Sequence, residues 1–181
     1  MRTAVHITVL AVVVLVVPID GARVSSRAEA RMDPGGAQAP DKADVAEGMN
    51  LYLHKGDCQS CHGWAADGRK ADNQMPDGPS LREKKYTRAL LVLTIKCGRP
   101  GTSMPAFDKF AYSDGRCYNM KQADLGKYPT RMPDPPATLQ PREIEYIADF
   151  LMSRVVGKGA LDHAKCVELW GAETDVCKDL K

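Results

Sequence analysis

Cys58-Gln59-Ser60-Cys61-His62 constrains this chain more than any other feature, because it fixes two thiols and an imidazole within five residues. Two thiols three positions apart reach the two vinyl groups on one edge of a haem, and the next residue turns its imidazole under the ring to the iron. The spacing is therefore that of covalent haem attachment. Two other chemistries use a C-x-x-C pair. A thioredoxin-like redox pair sits in a βαβ frame, and no alternating strand pattern precedes Cys58. A zinc site needs a second C-x-x-C or C-x-x-H partner, and none exists in the sequence. One such pentapeptide predicts one covalently bound haem c, held by Cys58, Cys61 and His62.

The N-terminus reads as an export signal. Arg2 supplies a positive start, Ala4 to Val17 is apolar apart from His6 and Thr8, and Pro18, Asp20 and Gly21 break the run. That stretch has the length of a signal-peptide core and falls short of the roughly 20 residues of a spanning helix. Small residues at Gly21-Ala22 and Ala28-Glu29-Ala30 offer cleavage sites. The expected organisation is a signal peptide over residues 1–30, a flexible linker over 31–41, a mono-haem domain over 42–156 and a C-terminal extension over 157–181. A retained N-terminal anchor is the alternative. Export implies the periplasm, with no membrane span after cleavage, and an oxidising compartment favours disulfides. Cys97, Cys117, Cys166 and Cys177 allow three pairings. Pairing of neighbours, Cys97–Cys117 and Cys166–Cys177, would tie a long loop to the central helix and pin the tail.

Hydrophobic periodicity predicts an all-α fold. Val45, Met49, Tyr52 and Leu53 recur at helical steps over Asp41–Lys55, with Gly48 on or near that face. A second helix runs over Thr87–Cys97, with Leu90, Leu91, Thr94 and Ile95 inward and Gly98 as its stop. A third covers Pro141–Val155, with Pro141 at its first position, Glu143 at the positive end of the dipole and a stripe of Ile144, Ile147, Ala148 and Leu151. Asp162–Trp170 is a short fourth, ended by Gly171, and the proline-rich segment from Pro105 to Gln140 reads as an ordered loop.

An iron bound by His62 needs a sixth ligand or an open site. Met75, Met104, Met120 and Met132 lie downstream and outside the helices. Met104, in Gly101-Thr102-Ser103-Met104-Pro105, follows the central helix by a glycine-flanked turn and is the leading candidate. Met132, before Pro133, is its competitor, while Met75 follows His62 too closely to cross the ring. His163 or an open site completes the set. A thioether ligand favours Fe(II) relative to a nitrogen ligand and raises the potential.

These features resemble those of the class I c-type cytochromes, the small soluble His/Met kind. The family's order is present: a helix bearing Gly48 and Tyr52, then Cys58–Gly63, a Gly78-Pro79-Ser80-Leu81 turn, a central helix, Met104-Pro105 and a last helix. The resemblance covers residues 42–156 and implies the small cytochrome c fold, in which the first and last helices cross and Gly48 meets Ile147 or Phe150. It implies that the Pro79 carbonyl accepts the N–H of His62, an outer bond that orients a ligand and tunes its basicity. Two departures stand out. About 35 residues separate Met104 from the last helix, and two dozen follow that helix with two cysteines. Such additions suggest a specialised partner surface, as in cytochromes serving periplasmic dehydrogenases.

The function implied is one-electron transfer from a dehydrogenase or other oxidoreductase to an oxidase or another cytochrome, with no catalytic residues of its own. A haem subunit built permanently into a larger oxidoreductase is the second reading, and an open-site enzyme or sensor the third. A net charge of +2 over 181 residues argues against a nucleic-acid partner held by bulk electrostatics. Arg82, Lys84, Lys85, Arg88, Lys96 and Arg99, against Glu83 alone, form a candidate basic docking patch.

Overall fold

The computed structural model describes residues 39–70, 73–126 and 132–180. The predicted signal peptide and most of the linker lie outside the described residues. Six α-helices appear among those described: α1 Lys42–Leu53, α2 Gln59–His62, α3 Arg88–Cys97, α4 Pro141–Arg154, α5 His163–Trp170 and α6 Asp175–Lys178. A 3-10 turn covers Gln122–Leu125, and the described residues contain no strand beyond one isolated bridge between Cys117 and Met120. The fold is all-helical, as expected of a small cytochrome c fold. No helix among the described residues is long and apolar enough to cross a membrane.

Helix starts follow side-chain chemistry. Asp41 caps α1 by accepting from the Ala43 N–H, and Thr87 caps α3 by accepting from the Leu90 N–H. Asp162 does the same for α5 through Lys165 N–H. The two caps at Thr87 and Asp162 move each helix start one residue inward from the expected ranges. Gly98 and Gly171, both at positive φ, stop α3 and α5. Three elements were not expected. The turn α2, the turn at Gln122–Leu125 and α6 are each four residues long. Four residues are about one helical turn, too short for hydrophobic periodicity to register.

The core forms where α1 crosses α4. Val45, Leu51 and Tyr52 of α1 meet Ile144, Ile147, Ala148, Phe150 and Leu151 of α4, with Leu91 and Ile95 of α3 closing the cluster. The rings of Tyr52 and Phe150 lie 5.6 Å apart and tilted. Burying each such large apolar side chain contributes about 1.5–3 kcal/mol. Gly48 makes the crossing possible: any Cβ there would overlap the Tyr146 carbonyl and come within 2.9 Å of the Phe150 Cβ. One expectation fails on α3. Leu90 is 46% exposed, because the buried stripe is set by Leu91 and Ile95 and Leu90 falls to its flank.

A second, smaller cluster gathers Cys97, Ala111, Tyr112, Cys117 and Met132. The Cys97–Cys117 disulfide ties the loop after Met104 to the end of α3, and Cys166–Cys177 ties α6 to α5. These are the neighbour pairings.

Glu143 joins the start of α4 to the end of α1. Its carboxylate accepts from the Gln140 backbone N–H at 2.7 Å and from Lys55 Nζ at 2.7 Å. Burial alone would raise its pKa, yet the Lys55 ammonium and the Gln140 N–H outweigh that and hold the carboxyl below its usual 4.5. A depressed carboxylate stabilises the fold above its unfolded pKa and loses that contribution as pH falls through the folded value. Glu143→Ala should therefore cost about 1 kcal/mol at neutral pH, a dipole contribution plus a surface ion pair. Urea midpoints of the variant and the parent should begin to approach each other as pH drops below 4.5 and converge once it has passed the lower folded value. A gap that persists in acid would mean the carboxylate's charge is not what matters.

Candidate haem-binding site

The Cys58–His62 segment is held before its chemistry begins. After α1 the chain turns back on itself: Gly56 N–H donates to Leu51 O at 2.8 Å and Cys58 N–H to Tyr52 O at 2.9 Å. Gln59 Nε2 donates to Leu53 O, and the buried Tyr52 hydroxyl donates to Gly63 O at 2.8 Å. The single turn α2 then carries Cys61 and His62, with Cys58 at its N-cap. A three-residue step on a helical turn puts both sulfurs on one side.

Both cysteines are free and partly buried. Burial, with Asp57 adding to it, pushes the Cys58 thiol up to about 12. A nucleophilic redox pair requires a thiolate of depressed pKa. A thioether sulfur carries no proton and suits this surrounding, so the fit to covalent haem is good and the fit to redox exchange is poor.

His62 is oriented from behind. Its Nδ1–H donates to the Pro79 carbonyl at 2.9 Å, which leaves Nε2 as the free ring nitrogen. Burial lowers its pKa, with the Pro79 bond opposing, so the neutral, ligating form is favoured. The Pro79 segment runs alongside the haem motif: Gly78 N–H donates to Cys61 O at 2.9 Å and Leu81 N–H to Ala66 O at 2.8 Å. Only glycine fits at position 78, where a Cβ would stand 2.7 Å from His62 Nδ1 and 2.8 Å from the Cys61 carbonyl.

The four methionines fall into different surroundings. Met104 is half-buried and packs against the main cluster, the one that also contacts Cys58. Its loop is closed by Arg99 N–H donating to Met104 O at 3.1 Å and by Met104 N–H donating to Thr102 Oγ1 at 3.2 Å. Met132 is 6% exposed and belongs to the second cluster with Cys97 and Cys117. Met120 packs against that same cluster, and the Met75 carbonyl accepts from Lys70 Nζ. His54 is the exposed C-cap of α1, and His163 pairs with Glu173 at 3.2 Å.

The basic patch is smaller than its sequence suggests. Arg82 is 1% exposed, with Nε donating to Gly159 O at 2.9 Å and a second nitrogen to Ala65 O at 3.4 Å. Arg88 is paired with Asp149 through two bonds, and Lys96 lies 3.9 Å from Asp108. Lys84, Lys85 and Arg99 remain as exposed members. Charge in a linear sequence carries no sign of burial, so Arg82 read as a surface cation. The packing of Trp64 on Trp170, ring centroids 6.0 Å apart, was equally silent in the sequence.

Among known proteins, residues 43–122 match the family described as "Cytochrome C oxidase, cbb3-type, subunit III". No curated protein and no solved structure matches the chain. The matched span runs from α1 through the Cys58–His62 turn and Met104 to the disulfide-tied loop, and stops short of α4. That family implies a covalently bound haem c and electron transfer, and the match over these residues supports a c-type cytochrome domain.

Proposed function

We propose that this protein is a periplasmic mono-haem cytochrome of the class I kind, carrying single electrons from a dehydrogenase or other oxidoreductase to an oxidase or another cytochrome. Cys58 and Cys61 would hold the haem through thioethers, and His62 and Met104 would ligate its iron. The haem iron supplies a one-electron Fe(III)/Fe(II) couple when bound. The observation that carries the reading is the His62–Pro79 bond, which orients the ring and commits Nδ1 while leaving Nε2 for iron. The placement of Met104 against the main cluster supports it over Met132 as sixth ligand.

The rest of the chain serves rigidity. Two axial side chains on a braced scaffold keep nuclear rearrangement small when charge changes. Redox-partner encounters are small and weak, so the exposed Lys84, Lys85 and Arg99 guide docking with an acidic partner face. A permanent place in a larger oxidoreductase is the second reading, favoured by the matched family's description as an oxidase subunit. Co-purification with a large partner through a salt wash separates the two.

The test is the visible spectrum of the dithionite-reduced holoprotein before and after carbon monoxide. An unchanged spectrum supports two held axial positions and a carrier. A rapid shift means an open iron site, and the carrier reading then falls.

A further inference from the structure

Arg82 is the largest fully buried side chain among the described residues, and the carboxylates of Asp67, Glu168 and Asp162 favour its charge without pairing with it directly. A guanidinium held at 1% exposure costs several kcal/mol of desolvation unless its donors are met. Here Nε and one terminal nitrogen are met by backbone carbonyls from two segments far apart in sequence, while the other terminal nitrogen, Nη2, has no hydrogen-bond partner among the described residues. Nε donates to Gly159 O, and the contact is returned, because Gly159 N–H donates to Arg82 O at 3.1 Å. A second nitrogen reaches Ala65 O, three residues past His62. Arg82 N–H also leans on Ser80 Oγ at 3.3 Å, inside the Pro79 turn.

We infer that Arg82 is a positioning residue for His62, and that the extension after α4 is part of the apparatus that sets this ligand. The statement rests on the haem reading above. Arg82 closes the short segment that begins with Gly78–Cys61 and Leu81–Ala66 pairing, and Pro79 lies in the middle of that segment. Fastened at Leu81 and Arg82 on one side and at Gly78 on the other, the Pro79 carbonyl is held on Nδ1 of His62.

Gly159 lies at the head of the extension. The extension is itself fastened to the body by Arg154 donating to Glu168 O and by Trp170 on Trp64. Internally it is closed by the Lys158–Glu168 pair at 2.6 Å and by Cys166–Cys177. These contacts define a mechanical path from the tail to Gly159, then Arg82, the Pro79 carbonyl and the imidazole. Withdrawing the Nδ1 hydrogen bond makes the imidazole a poorer donor, which disfavours Fe(III) and raises the potential.

The test uses the full-length holoprotein with Arg82→Gln and the milder Arg82→Lys. Covalent haem content is measured first by pyridine haemochrome on the parent. No haem there would overturn the haem reading and leave Arg82 out of account. With haem present, Arg82→Gln should raise the reduced-to-oxidised ratio at fixed ambient potential roughly threefold, about 28 mV for a one-electron couple. It should also move the His62 Nδ1–H resonance of the reduced protein upfield, with Arg82→Lys lying between. A lower melting temperature with both readouts unmoved would make Arg82 a purely structural clasp and sink the proposal. Hydrogen exchange on the parent covers the case in which neither variant folds. The amides of Leu81 and Gly159 should open together with the His62 ring proton, and a tail that opens independently would sink the proposal equally.

Discussion

Met104→Ala is expected to leave the reduced protein open to carbon monoxide, with an immediate change in its visible spectrum. Met132→Ala is expected to leave it closed. The two residues are the main contenders for the sixth position and they sit in different clusters. Met104 ends a loop pinned by Arg99 and Thr102 and packs against the cluster that contacts Cys58. Met132 is buried among Cys97, Cys117, Tyr112 and Ala111, behind the Gly98 stop of α3. Removing it leaves a cavity worth about 2–5 kcal/mol of stability and no vacancy at the iron. Loss of the Met104 thioether should also lower the midpoint potential by a sizeable part of the roughly 0.8 V range over which axial ligands act. The reverse pattern, with Met132→Ala opening the iron and Met104→Ala silent, would transfer the ligand to Met132. It would then make the second cluster a distal wall.

Gly48→Val should cost roughly 3 kcal/mol or more, at the upper end for overpacking, and cut the yield of haem-containing protein. The position tests the helix crossing because propensity and packing pull in opposite directions. In an isolated helix, alanine is better than glycine by about 1 kcal/mol. Here a Cβ would overlap the Tyr146 carbonyl of α4, which is backbone and has no rotamer to escape into. Even Gly48→Ala should therefore destabilise, reversing the sign that propensity predicts. Glu47→Ala, one residue away and exposed, should stay within about 0.5 kcal/mol of the parent. Chemical denaturation of the three variants separates the cases, and a stabilised Gly48→Ala would mean that α1 and α4 do not meet at this glycine.

Much of this was legible because the signals are local. The stripes of α1 and α4 repeat at helical steps for about two turns, and Gly98, Pro141 and Gly171 punctuate the chain where helices begin or end. The Cys58–His62 turn is a covalent pattern compressed into five residues, so its chemistry could be read without a fold. Short elements escaped. α2, the turn at Gln122–Leu125 and α6 are each four residues long, too short for periodicity to register. Leu90 was misplaced because a one-residue rotation on a helix is 100°, enough to move a side chain from the core to its edge.

By itself the sequence determined the helical class, the haem-attachment spacing and the supply of methionines and cysteines from which the site is drawn. Local covalent and periodic constraints suffice for these, since each depends on residues within a few positions of one another. Only the tertiary structure decided which cation is buried, which methionine lies against the cluster that contacts Cys58, and that Gly159 answers Arg82 across 77 residues. Burial and long-range pairing are properties of the packed whole. A guanidinium is a surface charge or an internal clasp depending on which carbonyls the fold brings to it, and no spacing along the chain encodes that.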